Sequence, residues 1–518
     1  MENHIHWFEP VGPELTSPIQ HIESGPGILA METPNHRRIL AIKNEIDTIT
    51  SRPHTTIQLW DDAKKITNPY EYIFLSLQKR MHKSIAAISP LSRSYFKMLE
   101  MWDLLVLENP GLGCTTGKDL ALPATDGPLL TAHSAEGPGG FLEAIQHRRP
   151  GAKMIAMTLR STERTIPGWR KSAAFLSNYP EVLITYGADS TGNLYSLENQ
   201  AAFEATTATH LGGKAHLYTA DGGFDFSADF NAQENTVQRL LVAEALCGLK
   251  SLRPGGTMIL KLFDTKNQGT IDILWTLSTC FERTGLVKPQ TSRPANSERY
   301  WIGSGLRSDI PVWVPDLLSR LTASEAPAGW NQIYIAPKYP TEWLDQLRTF
   351  QCAVEEFQII NIQRTLRIIN NPNRTEIAAL LLENITKSRE WCARHHITQN
   401  RLYSGLSNEA VVLMNLEEAL APFPASVART NLPAVSRPLP THHVLSAALP
   451  PRPPAGVVWH QALPESVRDP APCRTVADIL RPRLSAPPGL PPPPGLSRLL
   501  PELPSPSAGL IATALPPG

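Results

Sequence analysis

The chain has 518 residues, and its 48 basic and 48 acidic side chains cancel to a formal net charge of zero. That length exceeds one ordinary domain and is ample for a sizeable core, while the charge balance excludes a whole-molecule field that draws nucleic acid or an anionic membrane; any basic surface must be local. Six scattered cysteines (Cys114, Cys247, Cys280, Cys352, Cys392, Cys473) form no C-x-x-C pair, which argues against a disulfide framework or a zinc site and for reduced thiols in a cytoplasmic or nuclear setting.

Residues 1–65 mix proline, histidine and charge with little periodicity and are expected to be a loosely structured lead-in. They lack the apolar core of a signal peptide, and no run of about 18 apolar residues occurs anywhere, so no membrane span is expected. The stretch 69–107 reads as helical, with Tyr72, Leu75, Leu77, Ile85, Tyr95, Phe96, Leu99 and Trp102 as apolar marks. It is also basic, carrying Lys79, Arg80, Lys83, Arg93 and Lys97. The loop GLGCTTGKD, Gly111 to Asp119, imitates a phosphate-binding loop but fails the test. Its first two motif glycines, Gly111 and Gly117, are one residue too far apart, and Asp119 stands where a magnesium-holding hydroxyl is needed.

The chain is organised around LLTAHSAEGPGGF, Leu129 to Phe141. An apolar run that ends in Glu136 and passes at once into Gly137-Pro138-Gly139-Gly140 is how a buried strand turns tightly into a helix. From here strands are predicted at 129–133, 153–159, 182–186, 216–220, 257–263 and 300–305. Helices are predicted at 141–146, 197–210, 228–250 and 270–284. This alternation implies an α/β fold, a mainly parallel sheet flanked by helices, whose ligands bind beyond the carboxyl ends of the strands. Residues 66–310 are taken as that domain. Periodicity across 343–369 and 376–395 makes 311–420 a helical appendage. After residue 420 lie half of the 48 prolines, no lysine, and eight arginines against four acids, so 421–518 is expected to be a disordered, proline-rich tail.

Four polar residues fall where strands or helices meet the ligand edge: Lys97, Asp221, Lys261 and Glu298. Lys261 is the most telling. A lysine inside the apolar strand MILKLF must reach water, pair with an acid or lose its proton, and Asp221 at the end of the neighbouring strand is the natural partner.

These residues lie in a run of motifs: RSYFKMLEMWDLL, SAEGPGGFLEAI, MTLR, YGADSTGNLYSLEN, TADGGFD, GGTMILKLFD and CFERTGLVKPQTSRPANSERYWIGSGL. Over roughly residues 91–307 the chain resembles the FtsJ-like family of S-adenosylmethionine-dependent ribose 2′-O-methyltransferases, with a Rossmann-like sheet. Within it the KPQTSRPANSERY block is similar to that of the enzymes that methylate the first transcribed nucleotide of capped mRNA. The resemblance implies a Lys97-Asp221-Lys261-Glu298 tetrad in which Lys261, with a depressed pKa, takes the proton of a ribose 2′-hydroxyl and no metal is needed. It further implies that S-adenosylmethionine lies against Glu136, Gly137, Pro138, Gly139, Gly140 and Asp221. Thr158 and Leu159 would flank its ribose, and Asp189 and Asn193 its adenine. The family usually has glycine at 190 and an acid at 193, where this chain has Ser190 and Asn193. MTLR lacks the ribose-binding acid common in the wider class, which favours the cap enzymes over relatives that act on ribosomal RNA.

Capped RNA is the implied partner. A basic run holding Arg148, Arg149, Lys153, Arg160, Arg164, Arg170 and Lys171 could form a local phosphate surface, and Trp169 could stack on a methylated guanine. The tail could dock other capping or transcription proteins. Left open are a ribose methyltransferase for ribosomal or transfer RNA, a catalytically idle RNA-binding scaffold of the same fold, and a cellular or viral origin.

Overall fold

The computed structural model describes residues 4–12, 18–25, 27–50, 57–75, 84–106, 127–163, 166, 168–224, 233–326, 329–334, 339–424 and 427. The 111–119 loop, Lys79, Arg80, Lys83, Arg164 and all of the tail beyond Val427 lie outside the described residues. Residues 1–65, expected to be loosely structured, hold ordered elements: β1 (His6–Trp7), β2 (Gln20–Ser24), α1 (His36–Thr50) and the start of α2 (Ile57–Thr67). The reason was present in the sequence. Ile39, Ile42, Ile46 and Ile49 recur at helical spacing, and all four are buried with Trp60 against Ile359, Ile362 and Leu366. The basic stretch before the central loop is not one long helix. Helix α3 (Ser94–Val106) starts well after the short turn at Glu71–Ile73, and the described residues 84–93 hold no helix.

The central alternation then follows as β3 (Leu130–Ser134), α4 (Gly140–Arg148), β4 (Lys153–Met157), α5 (Ala173–Asn178), β5 (Val182–Thr185), α6 (Leu197–Leu211) and β6 (Ala215–Ala220). It continues through α7 (Gln233–Ser251), β7 (Leu252–Leu262), α8 (Gln268–Ser278), β8 (Phe281–Val287) and β9 (Arg299–Leu306). Strand β8 corrects the expected helix over 270–284. The helix stops at Ser278, and the chain reverses through Thr279 and Cys280 into a strand that pairs with β9. Last come α9 (Trp313–Ala323), β10 (Trp330–Tyr334), α10 (Thr341–Asn370), α11 (Arg374–Arg394) and α12 (Asn408–Leu420). The segment expected to be a helical appendage also holds a strand, which pairs with β2.

The main sheet runs β1-β8-β9-β7-β6-β3-β4-β5. Strands β5, β4, β3, β6 and β7 are mutually parallel, whereas β9, β8 and β1 join antiparallel, so the sheet is mixed. The chain moves outward from β3 through β4 to β5 and then returns to β6 on the other side of β3. The order therefore reverses between β3 and β6, and a crevice opens there beyond their carboxyl ends. One core joins the sheet to its covers. Ala132, Ile155, Tyr218 and Leu260 are buried with Leu241, Leu246 and Trp275 of α7 and α8, and with Trp343 and Phe350 of α10. No helix among the described residues is long and apolar enough to cross a membrane.

Candidate active site

The loop between β3 and α4 needs its glycines for contacts within the chain. Gly139 has φ +103°, a left-handed value that favours glycine, and a Cβ there would stand 3.1 Å from Trp169. A Cβ on Gly140 would fall 2.3 Å from Ser92 Oγ and from Ser94 Oγ, so the start of α4 packs directly on the start of α3. Those two glycines set how closely α3, and Lys97 upon it, approaches the loop.

The structure brings the four candidate catalytic residues to one edge as two ion pairs. Lys97 Nζ lies 2.7 Å from Glu298 Oε1, and Lys261 Nζ lies 3.2 Å from Asp221 Oδ1. Lys261 also donates to the Asp221 carbonyl at 2.7 Å. Asp221 follows the last residue of β6, and Lys261 is the penultimate residue of β7. Its cross-strand partner on β9 is Tyr300, whose hydroxyl donates to the same Asp221 Oδ1 at 2.8 Å. Glu298 precedes β9 and accepts from Ser292 Oγ at 2.9 Å.

Electrostatics correct one expectation. Burial pulls the pKa of Lys261 down, but the carboxylates of Asp221, Glu298 and Glu244 outweigh it, and the net shift is upward. In the free protein Lys261 is therefore an ammonium. Burial likewise opposes the charge on Glu298, yet Lys97, Lys261 and Lys288 hold its carboxyl down at about 2. Glu298 is a carboxylate throughout the neutral range.

The candidate cofactor residues divide. Glu136 turns inward: Thr219 Oγ1 donates to its Oε1, and its Oε2 lies 3.3 Å from His133 Nδ1. Thr158 is buried at the end of β4, and Leu159 beside it is exposed. Gly192 packs so closely on this strand end that a Cβ would lie 2.0 Å from the Thr158 carbonyl oxygen. Asp189 and Asn193 shape that same loop. Asp189 Oδ1 accepts from Thr191 N at 2.8 Å, and Asn193 Oδ1 accepts from Tyr195 N at 3.0 Å. The loops bearing Gly137 to Gly140, Thr158, Asp189 to Asn193 and Asp221 all leave the carboxyl ends of the parallel strands.

Only part of the basic run stands at this edge. Helix α4 carries Arg148 and Arg149 away from the loop to the opposite end of the sheet. There Arg148 is committed to Asp103 Oδ2 at 2.8 Å and the His395 carbonyl at 3.0 Å. Arg149 lies near His216, at the amino end of β6. Trp169 and Arg170 do stand on the ligand side, but Trp169 packs on Gly139, and Arg170 donates to the carbonyls of Glu163 and Ile166 at 2.9 and 3.0 Å. Sequence reasoning missed Phe224, three residues beyond Asp221. It is 45% exposed, and among the described residues it is the one aromatic on the exposed apolar surface. It also missed a cavity of about 140 Å³ lined by Trp60, Lys43, Lys64, Arg293, Asn296 and Gln358. The SRPAN motif, the expected lead-in and α10 all contribute to its lining, so only the folded chain assembles it.

The sequence around this edge is similar to known proteins. Residues 90–306 match the family model described as FtsJ-like methyltransferase. Over 256 residues the chain is 33% identical to the human protein named cap-specific mRNA (nucleoside-2′-O-)-methyltransferase 1, an overlap of 48% of this chain and 28% of that protein. The Drosophila melanogaster protein of the same name is 34% identical over 190 residues, 36% of this chain and 24% of its own. The chain thus matches about a quarter of the length of these relatives. The matched residues 90–306 carry both ion pairs and the β3–α4 loop, so in this part the chain is similar to the FtsJ-like methyltransferase family.

Proposed function

We propose that the protein transfers a methyl group from S-adenosylmethionine to the ribose 2′-hydroxyl of the first transcribed nucleotide of capped RNA. The observation that carries this reading is the pairing of Lys261 with Asp221 and of Lys97 with Glu298 at the carboxyl edge beside the β3–α4 loop. The residues present fit the methyl donor. The exposed Leu159 offers an apolar flank, the α4 amino terminus offers free N–H groups, and the Asp221 carboxylate suits a sulfonium. When bound, that donor supplies an electrophilic methyl; the chain's own residues must deliver the nucleophile. Lys97 and Glu298 orient the hydroxyl. Lys261 would take the hydroxyl's proton as the 2′-oxygen takes the methyl that the donor, held by these residues, would supply. A second positive charge beside Asp221 would lower the proton affinity of Lys261. Most of the acceleration comes from holding two reactants in line.

One feature supports RNA as the acceptor. The cavity at Arg293–Asn296 sets an indole beside Lys43, Lys64 and Arg293, each of which also pairs with a carboxylate, and an indole face suits a methylated guanine. Docking of capping or transcription proteins on the tail is supported by its composition alone. The deciding experiment offers capped and uncapped versions of one short RNA with labelled S-adenosylmethionine and identifies the product nucleotide. Methyl on the 2′-oxygen of the first nucleotide of the capped RNA is the expected result. Equal labelling of both RNAs, or label at internal riboses, favours a ribosomal- or transfer-RNA type of activity. No transfer to either favours the idle scaffold.

A further inference from the structure

Lys288 follows the last residue of β8 outside the tetrad, and it is 4% exposed. Its ammonium donates to the Glu298 carbonyl at 2.8 Å, the Asn296 carbonyl at 2.9 Å and Asn296 Oδ1 at 3.0 Å, with Ser292 Oγ at 3.4 Å. Among the described residues no carboxylate lies within ion-pair distance of it. Ser292 closes the unit, donating to Glu298 Oε1 at 2.9 Å and standing 3.3 Å from Asn296 Oδ1. A buried ammonium bonded only to neutral oxygens is costly, and burial presses its pKa down to about 7. An apolar side chain would fill the space at lower cost, so the lysine is explained by what its three N–H groups hold.

They hold one short segment. The beginning of the β8–β9 connection is fastened elsewhere: Glu100 accepts from Gln290 N at 2.6 Å and Thr291 N at 2.8 Å. Its middle is fastened by the Arg293–Glu71 pair and by Gln358 donating to the Ala295 carbonyl at 3.0 Å. Lys288 and Ser292 reach its end, one gripping the backbone of Glu298 and the other its carboxylate. Helix α3 meets the same carboxylate oxygen through Lys97.

We propose that Lys288 is a positioning residue: with Ser292 it fixes the backbone and carboxylate of Glu298, and so sets the 2.7 Å contact between Glu298 and Lys97. Its kinetic consequence rests on the methyl-transfer reading above; its structural consequence does not. Displacing a catalytic group by about 1 Å can cost on the order of 100-fold in rate, so a loosened Glu298 is read in turnover before it is read in binding.

The test compares Lys288→Met, which keeps the stem and removes the ammonium, with Lys288→Arg, which keeps charge but spreads its donors over a planar fork that cannot converge on one point. Ser292→Ala is the milder control. Each is checked for fold by circular dichroism and for S-adenosylhomocysteine affinity by calorimetry, and both should be retained. On a short capped RNA, kcat should fall about 10- to 100-fold for both Lys288 variants, the scale seen for outer partners of functional groups, with KM nearly unchanged and no rescue by arginine. A crystal structure of Lys288→Met should show Glu298 parted from Lys97. An unchanged kcat, or an intact Lys97–Glu298 pair in that structure, overturns the proposal. If the wild-type protein itself transfers no methyl, the functional reading falls, and the geometry of the pair in the variant still decides the role of Lys288.

Discussion

Lys261 is held by Asp221 twice, through the carbonyl at 2.7 Å and through Oδ1 at 3.2 Å. Backbone and side chain of one residue thus fix the direction of the ammonium, and Tyr300 anchors the same Oδ1 from β9. Removing the amine should therefore leave a formed but inert site. Lys261→Ala is expected to lose methyl transfer by at least ~100-fold, the usual scale for a general base, while binding S-adenosylhomocysteine normally. Lys261→Arg should fail as well, because a guanidinium does not release its proton near neutral pH. Substantial turnover by the arginine variant would sink the base assignment.

The direction of the Lys261 shift makes a pH prediction with a definite sign. Burial lowers its pKa, but Asp221 and the acids beyond it raise it further, to above its ordinary value. Below that pKa the neutral amine falls tenfold per pH unit. Since kcat/KM for the methyl donor reports the protein before the donor binds, it should climb with pH from neutrality into the alkaline range without levelling. A plateau already reached at pH 8 would mean that the amine is depressed in the free protein, contrary to its surroundings.

Much of this site was legible in the sequence, and the reasons differ by residue. Asp221 and Lys261 stand out because a charge at or inside an apolar strand demands a partner. Glu298 and Lys97 needed the motif resemblance, since a single glutamate in SRPANSERY or a lysine on a helix has no intrinsic signal. The basic run misled because charge density along a chain carries no direction: a nine-residue helix is enough to move Arg148 to the far end of the sheet. Helix α1 was overlooked although its isoleucines keep helical spacing, because flanking prolines and histidines set the impression. Lys288 lay in the quoted block, but its role depends on Asn296 and Glu298 folding back on it, which no spacing rule encodes.

Glu71 gives a stability prediction. Burial would raise its pKa, but Arg93 and Arg293, with Asn68, outweigh burial and hold it at about 2 against an ordinary 4.5. A depressed carboxyl stabilises the fold above its unfolded pKa and loses that contribution as pH falls through the folded one. The window is therefore about pH 4.5 down to 2, and the contribution is ~3 kcal/mol at 1.36 kcal/mol per unit. Denaturant melts of Glu71→Gln at pH 7 should show a loss of that order, because two largely buried arginines lose their partner. The gap between variant and wild type should close toward pH 2. A constant gap across that range would assign the effect to packing.

Gly140 joins α4 to α3, so its substitution should act on two ligands at once. In Gly140→Val the new side chain meets Ser92, Ser94 and the Tyr95 amide, and α3 must move with Lys97 upon it. Calorimetry with S-adenosylhomocysteine should show weakened binding, and any residual transfer should show a reduced kcat as well. Gly139→Ala is the gentler case. Its cost, about 1 kcal/mol or more, comes from a left-handed φ and the Trp169 contact. Normal binding and turnover in Gly140→Val would mean that the helices yield without disturbing either pair.

The last prediction concerns where the chain can be cut. The proline-rich composition begins near residue 420, but the compact unit extends to Asn431. Phe423 and Val427, both beyond the end of α12, are buried, and Val427 N donates to the Pro424 carbonyl at 2.9 Å. Burying such side chains stabilises by about 1.5–3 kcal/mol each, so a chain ending at Leu420 should melt clearly lower than one ending at Asn431. The chain ending at Asn431 should melt with the full-length protein and methylate a short capped RNA at a comparable rate, since every residue of both ion pairs and of the Lys288 unit precedes Arg307. The eight arginines beyond residue 420 can still add salt-sensitive phosphate contacts to longer RNAs. Any activity lost by the chain ending at Asn431 should therefore grow with RNA length and shrink as salt is raised. Loss of activity on the shortest capped RNA would instead make the segment beyond Asn431 part of the catalytic unit.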